Sequence, residues 1–434
     1  MIYRAFSRRK FLQITGSTLL ALYMGKFPSG EAAKPVPADP RWHALRSVDA
    51  PLDAQFVRQL ITRDNRTSRT IMWQDSVLEP DAQVEYRPAG SDHSAVTSAA
   101  YTYFTDHDQS SYIYAVLLTD LFPGRRYEYR ILNGTSGTDW YPLVPEHGLY
   151  FKALIFPDSQ CGSSYETWRS LAQNAARRQP DSAFYVNMGD LVDNGEDRYQ
   201  WQSWFSALDG ISEQWPLVPL LGNHETYTLD WQVRQPLAWL AYFSVPGNGS
   251  QQFPGRYYSF DYGEVHFAVL DTQWSEIDPL QPGLLEEQCR WLHQDMAASR
   301  QKWKLVLMHK DILNYDDWGG SEPDDIIDPV GRALMPLLDE LGIDLVLTAH
   351  LHTYRRRCHI KNFHPNPKGP LYICTGVAGN VRYYDIPASH FDEKLAPQPE
   401  SDNYLVLETA KNRLSLQCFL PNGALIDEVY LVKR

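Results

Sequence analysis

Phe184-Tyr-Val-Asn-Met-Gly-Asp190 and Leu217-Val-Pro-Leu-Leu-Gly-Asn-His-Glu225 decide how this chain folds. Each is a short apolar run that stops at a glycine and hands over to polar side chains. Runs of this length bounded by Gly read as buried parallel strands. Open α/β sheets hold their ligands in the crevice beyond the strand ends, so Asp190, Asn223 and His224 are expected to line it. A carboxylate, a neutral amide and an imidazole at successive strand ends suit a metal site better than a core.

The same grammar extends in both directions. Lys152–Phe156 reads as a strand and Tyr165–Arg178 as an amphipathic helix. Downstream come a strand at Val265–Leu270, a helix at Pro282–Ser299, a strand at Trp303–Met308, a helix at Val330–Leu341 and a strand at Ile343–Leu347. Short strands near Tyr372, Leu405, Leu416 and Val429 complete the tail. The expected fold class is α/β, a sandwich with mixed sheets. Ligand-type residues again follow the strands: Asp158, His309, and His350 with His352. One His after an apolar strand is more often a satisfied core or surface residue; the same arrangement after strand upon strand is not coincidence. Hard carboxylate oxygens, imidazoles and one amide suit Zn, Mn or Fe in two adjacent positions.

Residues 52–149 read differently. Thr70–Gln74, Gln83–Tyr86, Tyr112–Leu118 and Tyr127–Ile131 alternate partially and are separated by turn residues, the mark of a small all-β module. Leu121-Phe-Pro-Gly-Arg-Arg-Tyr127 resembles the turn into a strand of a fibronectin type III-like sandwich, with Tyr127 in the tyrosine-corner position. The module has no cluster of ligand-type residues, so a structural or docking role is expected.

Ahead of it, residues 1–33 read as a targeting segment. Ser7-Arg-Arg-Lys-Phe-Leu12 resembles the twin-arginine export signal, and the apolar run Ile14–Met24 is too short to span a bilayer. The expected localisation is periplasmic or secreted, with an uncleaved signal anchor the one membrane attachment left open. Residues 34–51, rich in Pro and Ala, read as a linker. The chain has 434 residues with 43% hydrophobic and 21% charged, which is globular composition. A net charge of −13 argues against a nucleic-acid backbone as partner but not against a small phosphorylated substrate, because bound cations would reverse the local field. The five cysteines show no zinc spacing, and an odd count speaks against a disulfide framework.

Asp158-Ser-Gln160, Gly189-Asp-Leu-Val-Asp193, Gly222-Asn-His-Glu225, Val306-Leu-Met-His309 and Ala349-His-Leu-His352 together resemble the calcineurin-like metallophosphoesterases, and within them the purple acid phosphatases. Residues 150–434 would be the metallophosphoesterase domain, and the β module stands where plant-type purple acid phosphatases carry theirs. The resemblance implies a binuclear, acid-phosphatase-like phosphomonoesterase holding two divalent or trivalent ions of Fe, Mn or Zn. Asp190 would bridge them. Asp158 and His352 would hold the first ion; Asn223, His309 and His350 the second. Cations roughly 3.5–4 Å apart would hold a hydroxide for in-line attack. His224 would face the substrate, as acid or transition-state stabiliser.

Departures from the pattern qualify this. Where purple acid phosphatases carry the tyrosine whose phenolate colours ferric iron, this chain has Asp193. Gln160 stands where they have Gly, and the segment after His309 lacks their extra substrate histidines. A colourless relative is therefore expected, with Gln160 and Asp193 as weak ligands, as groups that hold the ligands in place, or as plain turn and cap residues. Arg355, Arg356 and Arg357 read mainly as a solvated strand edge, although Tyr354 and Arg356 match the family's Tyr and Arg after His-x-His and could reach substrate. Thr375–Asn380 resembles the family's late glycine turn. The loops Asp316–Asp328 and Tyr383–Glu400 are the candidate specificity loops. The alternatives are a phosphodiesterase or nucleotide-cleaving enzyme, or an idle binding protein.

Overall fold

Side-chain alternation along the strands sorts the core into layers. In Lys152–Phe156, Ala153 and Ile155 point to one face and Leu154 and Phe156 to the other; in Phe184–Asn187, Phe184 and Val186 oppose Tyr185. The computed structural model describes residues 52–134, 136–314, 326–383, 386–397 and 400–433. The targeting segment, the linker and most of the acidic loop lie outside these residues.

One face of the first sheet packs under helices. Leu154, Phe156, Tyr185 and Leu217 meet Trp168 and Leu171 of Glu166–Arg178, Trp201 and Trp204 of Arg198–Ser206, and Trp239 of Leu237–Tyr242. The other face meets a second sheet, where Ala153, Ile155, Phe184, Val186 and Val218 pack on Phe260, Phe267, Leu305, Leu307, Leu345 and Leu347. Beyond that sheet, Ala268, Val306 and Val346 lie under Leu284 and Leu292 of Leu284–Ala298 and Leu334 and Leu338 of Pro329–Leu341. The layers run helices, sheet, sheet, helices. With each large apolar side chain worth about 1.5–3 kcal/mol on burial, this layering is what holds the strand ends in place.

Register fixes where those ends emerge. Phe156 pairs with Asn187 and Val186 with Val218, all in parallel, so the three strands finish level and deliver Asp158, Asp190 and Asn223 to one edge. In the second sheet Leu305 pairs with Leu345 and Leu307 with Leu347, again in parallel. His309 and His350 therefore leave that sheet side by side, with the Ala349 N–H donating to the His309 carbonyl at 2.8 Å.

The β module is not detached. Its strand Gln55–Leu60 adds in parallel to Pro216–Pro219, pairing Gln59 with Pro216 and Leu60 with Leu217. The first sheet thereby continues through Arg69–Asp75, Gln109–Leu118 and Ala100–Asp106, ten strands among the described residues. A separate sheet of Gln83–Pro88, Ala95–Ser98, Tyr127–Asn133, Ser136–Gly137 and Tyr141–Leu143 closes the sandwich over Ile71, Trp73, Val84, Tyr114, Tyr129 and Ile131. At the expected tyrosine corner, the Phe122 N–H donates to the Tyr127 hydroxyl at 3.1 Å. The fold is thus an α/β sandwich with mixed sheets behind an all-β domain.

The arginine triplet differs from expectation. Arg355 and Arg357 are buried, paired with Asp392 at 2.9 Å and Asp311 at 2.8 Å, and are not part of a solvated edge. The strand Tyr354–Lys361 is covered by Asp392–Leu395, which supplies one of those carboxylates. Arg356 and Tyr354 share a partner: Arg356 Nε and the Tyr354 hydroxyl both donate to Asp427, at 2.7 and 2.9 Å.

Candidate metal centre

The loop after Phe184–Asn187 turns sharply because Gly189 and Asp190 both adopt left-handed backbone, with φ of 96° and 48°. A Cβ on Gly189 would sit 2.6 Å from His309 Nδ1, and one on Gly222 would sit 2.1 Å from Asp190 Oδ1. Only glycine lets the two loops approach this closely. His350 and His352 are left-handed as well, with φ of 69° and 51°. Non-glycine residues in this region cost roughly 1–3 kcal/mol each and concentrate at functional sites.

These loops bring six residues into one cluster. Asp158, Asp190 and His352 form one group of metal-type ligand atoms, and Asp190, His309 and His350 another, each with its atoms within 4.8 Å of one another. Asn223 Oδ1 is 3.1 Å from His309 Nε2. Asp190 belongs to both groups.

Hydrogen bonds behind the cluster dictate which ring nitrogen faces inward. His309 Nδ1 donates to the Met188 carbonyl at 2.9 Å, and His352 Nδ1 to the Val381 carbonyl at 2.9 Å. A carbonyl can only accept, so in the neutral rings Nε2 carries the lone pair. His309 Nε2 then points at Asp190 Oδ2, 3.1 Å away, and at Asn223 Oδ1; His352 Nε2 lies 2.9 Å from Asp158 Oδ2. His352 Nε2 and Asp158 Oδ2 are buried and lack a hydrogen bond among the described residues. In that neutral tautomer the Nε2 electron pairs converge with the carboxylate oxygens, an arrangement that fits cations, and the orienting carbonyls are the support that metal-ligating histidines ordinarily have.

The electrostatics agree. Burial alone would lower the basicity of His309, yet Asp190 and Asp158 beside it push its pKa up to about 9. Burial pushes Asp190 up, but His309 and His224 together outweigh this and hold it well below the usual carboxylate range. His350 goes the other way: burial, then the neighbouring His309, keep it well below the ordinary histidine value. A cation displaces protons from such a set.

His224 stands at the edge of the cluster. Its Nδ1 donates to the Asp193 carbonyl at 2.7 Å, and its Nε2 is 3.9 Å from Asp190 Oδ2. Burial lowers its pKa, while Asp190 and Asp193 raise it more, for a net upward shift. Asp193 therefore orients His224 and belongs to neither ligand group. Gln160 is buried close by, its side-chain oxygen and nitrogen both without a hydrogen bond among the described residues. The turn at Thr375–Asn380 packs on the first motif: the Ala378 and Gly379 N–H groups donate to the Asp158 carbonyl at 2.8 and 2.9 Å.

Glu225 holds the arrangement together, a role the sequence does not reveal. Its carboxylate accepts from the backbone N–H groups of Gly222, Asp190, Leu191 and Val192 at 2.8–3.3 Å, lashing the two loops to each other. Burial, then the nearby Asp190, push its pKa up to about 7. Its one sequence signal is an acid immediately after an Asn-His pair.

The layered sandwich and the double ligand group define a metallophosphoesterase-type protein. Comparison with known proteins agrees: the calcineurin-like phosphoesterase family matches residues 147–354, and the purple acid phosphatase N-terminal domain matches residues 54–144. This chain carries a calcineurin-like phosphoesterase domain behind a purple acid phosphatase N-terminal domain. It is 28% identical to purple acid phosphatase 23 of Arabidopsis thaliana over 315 residues, 64% of each chain. It is 26% identical to purple acid phosphatase 18 of the same plant over 201 residues, 46% of this chain and 44% of that one. The chain thus spans about half to two thirds of the length of these relatives. The structure of a purple acid phosphatase from yellow lupin (Lupinus luteus) seeds superposes with a TM-score of 0.74 at 18% identity, covering 87% of this chain and 74% of that one. That likeness establishes the fold.

Proposed function

We propose that this protein is a binuclear metal-dependent phosphoester hydrolase acting, like an acid phosphatase, on small phosphomonoesters. The observation that carries this is the pair of three-residue ligand groups sharing Asp190. Asp190 would be shared between two ions; Asp158 and His352 would hold one with it, and Asn223, His309 and His350 the other. Fe, Mn or Zn suit these donors, and when bound the ions supply Lewis-acid polarisation of the phosphoryl oxygens and an activated water. Asn223 adds a donor without adding negative charge, which preserves that acidity. His224, aimed by Asp193, donates a proton towards the leaving oxygen. Gln160, whose side-chain amide atoms have no hydrogen bond among the described residues, is a further group for the phosphoryl or an ion.

Metal analysis with a panel of phosphoesters tests the reading. Two metals per chain are expected, with turnover of monoesters above that of diesters and no purple colour, since Asp193 replaces the charge-transfer tyrosine. Diester turnover in excess favours the phosphodiesterase alternative. Bound metal without turnover of either ester favours the idle binding protein.

The proposed location is the periplasm or the exterior, by way of Arg8-Arg9. Among the described residues no helix is long and apolar enough to cross a membrane. Replacing both arginines with lysine is expected to strand the protein in the cytoplasm with its activity in vitro unchanged. Normal export of that variant would contradict the twin-arginine assignment.

A further inference from the structure

Three residues beyond His224 the chain forms a small hairpin that no part of the site's chemistry accounts for. Tyr227 bridges to Val233, and the Thr228 N–H donates to the Gln232 carbonyl at 2.9 Å. At its tip Trp231 adopts left-handed backbone with φ of 60°, unusual for a bulky side chain. The indole nevertheless remains 43% exposed. Its ring lies edge-on to the His224 imidazole, centroids 5.8 Å apart at 86°, and against Tyr227, also at 5.8 Å.

This position is actively held. The Leu229 N–H donates to Glu196 at 2.7 Å, Asn194 donates its side-chain N–H to the Thr228 carbonyl, and Arg234 pairs with Glu196 at 2.8 Å. Arg234 also pairs with Asp106 of the β module at 2.7 Å, so that module braces the hairpin. A large apolar surface is thus presented beside the proton donor of the proposed reaction.

We infer that Trp231 is a specificity-determining residue, a platform on which the leaving group of an aromatic phosphoester, an aryl or nucleobase-bearing alcohol, packs while His224 faces its ester oxygen. The inference rests on the phosphoesterase reading above. It places the phosphoryl group at the ligand cluster and the organic group over the hairpin, with selectivity arising from ring stacking and burial of apolar surface.

The test compares the metal-loaded wild type with Trp231→Phe, Trp231→Ala and Trp231→Gly. The glycine variant tolerates the left-handed backbone and so guards against misfolding. Calorimetric binding of phenylphosphonate and methylphosphonate is measured beside kcat/KM for phenyl and ethyl phosphate. The wild type is expected to bind phenylphosphonate more tightly. In the Ala and Gly variants the aromatic-to-alkyl ratio should fall about 10–100-fold, the range one stacked ring supplies. Trp231→Phe should retain most of the ratio. A wild type that binds phenylphosphonate no more tightly than methylphosphonate overturns the proposal whatever its turnover, as does a proportional loss on both ligands in the variants. A wild type that prefers phenylphosphonate, loses the preference in the variants and hydrolyses no ester supports the platform while refuting the proposed hydrolysis.

Discussion

Replacing Asp190 with Asn is expected to empty both ion sites at once. Asp190 belongs to both ligand groups, whereas Asp158 belongs to one. The asparagine is isosteric, and its Oδ1 can still accept the His224 backbone N–H that Asp190 Oδ1 takes at 2.9 Å. The loop should therefore stay closed, leaving loss of the shared charge as the main change. Metal content should fall from two per chain to below one, and turnover with it by at least about 10²–10³-fold, because the cations that would stabilise the developing charge are lost. Asp158→Asn should empty one site and leave the other measurable. Metal analysis of both variants, with melting temperature as a check on folding, decides the matter. If Asp190→Asn keeps two ions, the bridging role is wrong.

What could be read in the chain and what could not divides along a physical line. The central strands were legible because parallel strands buried on both faces leave continuous apolar runs. The clustered residues were legible because each follows such a run directly, and level strand ends convert that local habit into proximity. Glu225 was not legible as a clamp, because its partners are backbone N–H groups of Asp190, Leu191 and Val192, which any sequence would supply. Arg355 and Arg357 looked solvated because the carboxylates that neutralise them, Asp392 and Asp311, come from remote segments. The parallel join of Gln55–Leu60 was hidden for a similar reason. Its buried Arg58 and the amide nitrogen of its buried Gln59 donate to distant carbonyls, those of Tyr242, Pro142 and Glu213 among them, so the strand does not announce itself as apolar.

His224 is where binding and chemistry should separate. It belongs to neither ligand group, and its Nε2 is 3.9 Å from the nearest carboxylate oxygen of Asp190. His224→Ala should accordingly keep both ions yet lose turnover by roughly 10²–10⁴-fold, the usual worth of a positioned acid or base. The two carboxylates beside it raise its pKa and favour the proton it must carry, while ions bound at Asp190 would push the other way. If the ring serves as an acid, the loss should shrink for aryl phosphates, whose leaving groups need less protonation than alkyl alcohols. A ring that merely packs between Tyr227 and Trp231 predicts something else: a lower melting temperature with per-molecule activity near wild type. Metal content, melting temperature and rates on one alkyl and one aryl phosphate distinguish these outcomes. Full turnover of the alkyl ester by His224→Ala would remove His224 from the chemistry and leave the ions and Gln160 to carry it.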